Sequence, residues 1–121
     1  MRAIVLGVGF IVCASAFAQA EEDSRMLLQA CRAAVKQMDG AKVFAQEVSD
    51  AGFCGGYTIG FNEGLRIAVE RTKVKYCLPG GLTGEQTVRV VEKYLRENPQ
   101  ELHKPMRINA LAAFSKAFPC K

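Results

Sequence analysis

The residues of this 121-residue chain whose types could do chemistry are five cysteines, one histidine and a run of closely spaced glycines. Cys13 lies inside an N-terminal apolar run, while Cys31, Cys54, Cys77 and Cys120 are spread along the rest. None of the four stands in a Cys-x-x-Cys pair, the spacing used by zinc sites and by thioredoxin-type exchange. An even count in a small exported chain implies two disulfides instead, and the first twenty residues point to export. The histidine, His103, sits between Leu102 and Lys104. Catalysis by it needs a nucleophile or a partner carboxylate, and no free thiol is expected once the cysteines pair. It reads as a surface or helix-terminal residue. Glu92 and Glu97 fall on the polar side of a helical pattern, where carboxylates more often solvate a surface than move protons. The stretch CGGYTIGFNEG, 54–64, has neither the Lys-Ser ending of a phosphate loop nor alternating glycines after a strand. No metal cluster, cofactor or catalytic pair is implied, and the chain reads as a protein that binds rather than an enzyme.

The opening MRAIVLGVGFIVCASAFAQA joins one basic residue, an apolar run from Ala3 to Ala18 and the small-x-small ending Ala18-Gln19-Ala20. That is the pattern of a secretory signal peptide over residues 1–20, leaving a mature domain of 21–121 and a periplasmic location. The run is shorter than the roughly 20 residues of a membrane-spanning helix. Phe10, Ile11 and Val12 before Cys13 are too large for lipoprotein cleavage. With Arg2 removed, 15 basic residues face 12 acidic ones in the mature chain. This mild excess is spread out, which argues against nucleic acid as a partner. No second long apolar run follows, so no membrane association is expected after cleavage. The densest basic run, Arg66, Arg71, Lys73 and Lys75, suits the C-terminal end of a helix.

Hydrophobic spacing predicts helices throughout the rest of the chain. Residues 22–38 place Leu27, Cys31, Ala34, Val35 and Met38 on one stripe, with Asp23 or Ser24 as cap and Asp39-Gly40 as stop. Residues 41–48 fit either a short helical turn or an ordered loop. A second helix runs from about Ser49 or Asp50 to Thr72. On it Gly56, Gly60 and Gly64 form a bare ridge beside the apolar ridge of Tyr57, Phe61, Leu65 and Ala68. Each interior glycine costs about 1 kcal/mol relative to alanine, so close approach of another helix or of a symmetry mate is expected there. Residues 77–86 form a loop broken by Pro79-Gly80-Gly81, and Thr83 with Gln86 makes a capping box for a third helix. That helix turns Val88, Val91, Tyr94 and Leu95 inward and Arg89, Glu92, Lys93 and Arg96 outward. Asn98-Pro99 ends it and can cap a short turn answered by Glu101. Pro105 opens a fourth helix with Ile108, Leu111, Phe114 and Phe118 on its inward stripe. The fold class is therefore all-α, a small disulfide-stapled bundle of about four to five helices.

Short loops favour antiparallel neighbours, and that geometry pairs the cysteines. Cys77 before the third helix meets Cys120 after the fourth, while Cys31 near the end of the first meets Cys54 near the start of the second. Pairings 31–54 and 77–120 staple each hairpin.

The order Cys54-Gly55-Gly56-Tyr57-Thr58-Ile59-Gly60, Cys77-Leu78-Pro79, Val90-Val91-Glu92-Lys93-Tyr94-Leu95, Asn98-Pro99 and Ala117-Phe118-Pro119-Cys120 resembles the Rap/Tai family. These are periplasmic immunity proteins of type VI secretion, and the resemblance spans Cys31 to Cys120. It implies a small exported helical protein, often a homodimer, that inactivates a peptidoglycan amidase effector. An immunity protein of this kind blocks a cleft, and a fixed loop on a stiff scaffold is a natural plug. Gly80, Gly81, Leu82 and Thr83 are the candidate contact loop. A small periplasmic chaperone or stress protein, or an envelope-assembly subunit, is the alternative reading. Basic residues outnumber acidic ones, which speaks against an acid-stress chaperone.

Overall fold

The computed structural model describes residues 23–72 and 76–121. The expected signal peptide (1–20), Cys13, and Lys73 and Lys75 of the basic run lie outside them. Four α-helices follow in order, α1 (Ser24–Met38), α2 (Ala45–Arg71), α3 (Gly84–Glu97) and α4 (Met106–Ala117), with a 3-10 turn at Pro99–Glu101. Among the described residues there is no strand, so the all-α expectation holds. α1 packs on α2 and α3, and α3 in turn carries α4. Leu27, Cys31, Cys54, Val91, Leu95, Ala110 and Phe114 are at most 1% exposed and mark the centre of the core.

Local chemistry explains most helix ends. The Asp23 carboxylate accepts from the Arg25 N–H at 3.0 Å, capping α1. Gly40, at φ +76°, then turns the chain out of it in the left-handed region that glycine enters freely. The Thr83–Gln86 box forms in both directions, with Thr83 N–H donating to Gln86 Oε1 at 2.8 Å and Gln86 N–H to Thr83 Oγ1 at 3.2 Å.

α2 starts at Ala45, about four residues ahead of the expected Ser49 or Asp50. Residue 44 is phenylalanine, which cannot cap through its side chain. The Glu47 carboxylate substitutes by reaching back to the Phe44 N–H at 2.8 Å, while Lys36 of α1 pairs with the same carboxylate at 2.8 Å. The start of α2 is thus set by Glu47, which Lys36 of α1 holds in place, and of the ambiguous 41–48 stretch only 41–44 is loop.

Three other expectations change. Glu92 is 9% exposed rather than solvated, and Arg96 covers its carboxylate at 3.0 Å. The Asn98 side chain donates back to Tyr94 O at 2.7 Å, closing the end of α3 instead of capping the turn that follows. On α4, Phe114 is buried, but Ile108 is 44% exposed, and Met106, Asn109, Ala110 and Ala113 fill the inward face. Asn109 is drawn inward because its Nδ2 donates to Ser24 Oγ and to Glu101 O, both at 2.8 Å. Ser24 itself donates from its N–H to Leu102 O (3.0 Å) and Lys104 O (3.1 Å) and from its hydroxyl to Lys104 O (2.8 Å). This polar knot joins the start of α1 to the turn before α4.

Both expected disulfides are present, Cys31–Cys54 with Cα atoms 5.0 Å apart and Cys77–Cys120 with Cα atoms 5.1 Å apart. The first is fully buried and ties α1 to α2. The second is exposed and ties the chain ahead of α3 to the chain after α4.

Candidate protein-binding site

The loop 77–83 leaves the Cys77–Cys120 disulfide and ends in the Thr83–Gln86 cap, so both of its ends are fixed. Its middle is fixed as well, because the Arg66 guanidinium of α2 donates to Pro79 O at 2.8 Å. Arg66, expected as part of a solvated helix end, is a loop anchor. Gly81 has φ +77°, a conformation in which a side chain is strained, so the turn requires glycine there. Gly80, Gly81 and Thr83 are exposed, whereas Leu82 is half-buried and packs against the core. The protruding part of the loop is therefore backbone and hydroxyl, and Leu82 serves as its foot.

Beside the loop runs an apolar strip. The side chain of Ile59 on α2, 43% exposed, lies so close to Gly84 that a Cβ there would be 2.8 Å from its Cδ1. Gly84 alone among the described glycines has a neighbouring element within 4 Å of where a Cβ would be. Nothing in the sequence singles it out, since it reads only as the residue after a cap. Ile59, Gly55, Gly84 and Met38 share a groove of about 260 Å³ between α1, α2 and α3. Loop and groove together make a surface with an exposed backbone turn at one edge and apolar side chains at the other. Such a surface can bury a protein partner around a small apolar centre with a polar rim.

The ridge of Gly56, Gly60 and Gly64 is brought to one side of α2 as expected, and Gly52 extends it by another step. All four are exposed, and a Cβ at any of them meets nothing within 4 Å. Among the described residues no helix approaches it, because the face is turned away from α1, α3 and α4. Phe53 (38% exposed) and Ile67 (55%) stand beside it. The neighbouring aromatic ridge is used inside the chain. Phe53, Tyr57, Phe61 and Phe114 stack in sequence with ring centroids 6.1–6.2 Å apart, linking α2 to α4.

His103 is exposed. Among the described residues no three His, Cys, Asp or Glu side chains are placed to hold a metal ion. No helix among them is long and apolar enough to cross a membrane.

These features, a four-helix scaffold with two disulfides and a fixed exposed loop, are those of a small binding protein. The profile of one protein family, the Rap1a immunity proteins, matches residues 23–120, and the chain belongs to that family. No curated protein and no solved structure matches it significantly.

Proposed function

We propose that this chain is exported through a signal peptide at residues 1–20 and acts in the periplasm by occluding a peptidoglycan amidase effector. It works by binding alone. The observation that carries this reading is the loop 77–83, held at its start by a disulfide, at its middle by Arg66 and at its end by a capping box. A loop fixed before binding loses little conformational entropy when it enters a cleft, which favours tight occlusion. Family membership supports an effector as the partner.

The test is growth of cells that express, in the periplasm, a secreted cell-wall amidase encoded beside this gene, with the protein supplied in trans. Wild type should protect. Inserting a bulky charge at the exposed turn, as in Gly80→Glu, should abolish protection at unchanged protein level, because an unpaired charge in a desolvated cleft costs several kcal/mol, about 2–5. Full protection by Gly80→Glu removes the loop from the mechanism. Failure of the wild type removes amidase immunity and returns the chain to the chaperone or assembly role.

The α2 glycine ridge supports a homodimer. Four exposed interior glycines cost together about 3–4 kcal/mol of helix stability, and among the described residues nothing packs against them. A second copy laid across the ridge reaches the backbone closely and covers Phe53 and Ile67. Gly56→Leu with Gly60→Leu should give a folded monomer by sedimentation, with no loss of melting temperature at concentrations where the wild type is monomeric. A wild type that stays monomeric at all concentrations refutes the dimer.

A further inference from the structure

The α3–α4 side of the molecule carries a groove of about 440 Å³ that the loop surface does not use. Its floor is Ala113, 1% exposed, and its walls are the half-buried Val90, Tyr94 and Phe118. Lys93 and Lys116 are exposed on its rim, and the Lys116 ammonium lies 5.8 Å from the centroid of the Tyr94 ring. Glu97 is the single carboxylate among its lining residues. The larger groove between α1 and α2, about 530 Å³, differs in kind. It is lined by Arg25, Arg32, Lys36, Glu47 and Asp50 and has no aromatic wall, so it offers no seat for a large apolar side chain.

We infer that the α3–α4 groove is a second docking site for the protein partner, receiving an aromatic or large aliphatic side chain flanked by carboxylates. Three observations carry this. The walls are apolar and aromatic, so they desolvate an apolar side chain at little polar cost. The rim carries two cations against one anion, complementary to an acidic flank. The groove also continues toward the plug: Phe118 walls both it and a 180 Å³ cavity at the Cys77–Cys120 disulfide, from which the 77–83 loop departs. As a site on the effector's path this rests on the immunity reading, while the groove's preference for acid-flanked apolar side chains stands without it.

The experiment titrates the full mature protein with two peptides, acetyl-Asp-Glu-Phe-Asp-Glu-amide and its lysine-flanked counterpart, followed by NMR. The acidic peptide should move the signals of Val90, Tyr94, Ala113 and Ala117 saturably, and the basic peptide should not. Lys93→Glu combined with Lys116→Glu alters exposed side chains only, and should raise the Kd for the acidic peptide at least about tenfold. Equal shifts from both peptides, shifts centred elsewhere, or an unchanged Kd in the double variant overturn the site. The growth assay is independent of this result. Protection without peptide binding leaves immunity standing and removes the groove, while peptide binding without protection leaves the groove and removes the amidase.

Discussion

The two disulfides do opposite work. Cys31–Cys54 has no exposed surface and sits where α1 and α2 press together. Cys77–Cys120 lies in the open and joins two chain segments outside any helix. Chain entropy alone ranks the exposed bond higher, because it closes 43 residues against 23. That difference amounts to only about 0.6 kcal/mol. Loss of two fully buried sulfurs from a packed core outweighs it, at about 1 kcal/mol or more each. The buried bond therefore secures the fold, and the exposed bond secures the shape of a surface.

Replacing both buried cysteines, Cys31→Ala with Cys54→Ala, should cause the largest effect, about 4–6 kcal/mol less stability in chemical denaturation. Cys77→Ser with Cys120→Ser should cost less, about 3–4 kcal/mol, while amide exchange rises in 77–83 and at the C-terminal end. If the two double variants lose equal stability, the comparison fails. A sharper version uses a mild thiol on the native protein. Attack on a disulfide needs access to sulfur, so mass spectrometry should find Cys77–Cys120 opened first and Cys31–Cys54 retained until the chain unfolds.

Arg66→Ala should change global stability by less than about 1 kcal/mol, since it removes an exposed hydrogen bond to Pro79 O. Exchange should nevertheless quicken in 79–83, and unchanged exchange there would mean the disulfide and the cap suffice. The smallest effect concerns pH. The Lys36 ammonium, then the Phe44 N–H, hold the Glu47 carboxyl below its usual range. Its folded pKa lies below the unfolded one, so its contribution is complete above the ordinary glutamate range and is lost as pH falls through the lowered value. The first turn of α2 should fray on acidification in the wild type, seen at the Val48 amide, and Glu47→Gln should remove that pH dependence.

What the sequence made legible follows from how local each signal is. Asp23, Thr83 with Gln86 and Gly40 act within four residues, and all three helix ends they announce are real. The cysteine pairing was legible because hairpin geometry leaves few choices once four helices are placed. Features resting on contacts between distant segments were not. Phe44 gives no sign of a helix start, because Lys36 and Glu47 supply it from two elements. Asn109 falls outside the predicted inward stripe, and its burial depends on Ser24, 85 positions away. Ile108 reads as core because the spacing of large apolar residues passes over the small Ala110 and Ala113, which take the buried face instead. Of the candidate contact loop, Gly80, Gly81 and Thr83 are as exposed as expected, and Leu82 is the foot on which they stand.

In the proposed function the Cys77–Cys120 end meets the partner and the Cys31–Cys54 end supports it. Amide hydrogen exchange of residues 21–121, alone and in complex with a cognate effector, tests this proposal. Added protection is expected in 77–86 and at the neighbouring Ile59, with no change along the Arg25–Lys36 side of α1. Protection concentrated on that side of α1, with 77–86 exchanging as in the free protein, would contradict it.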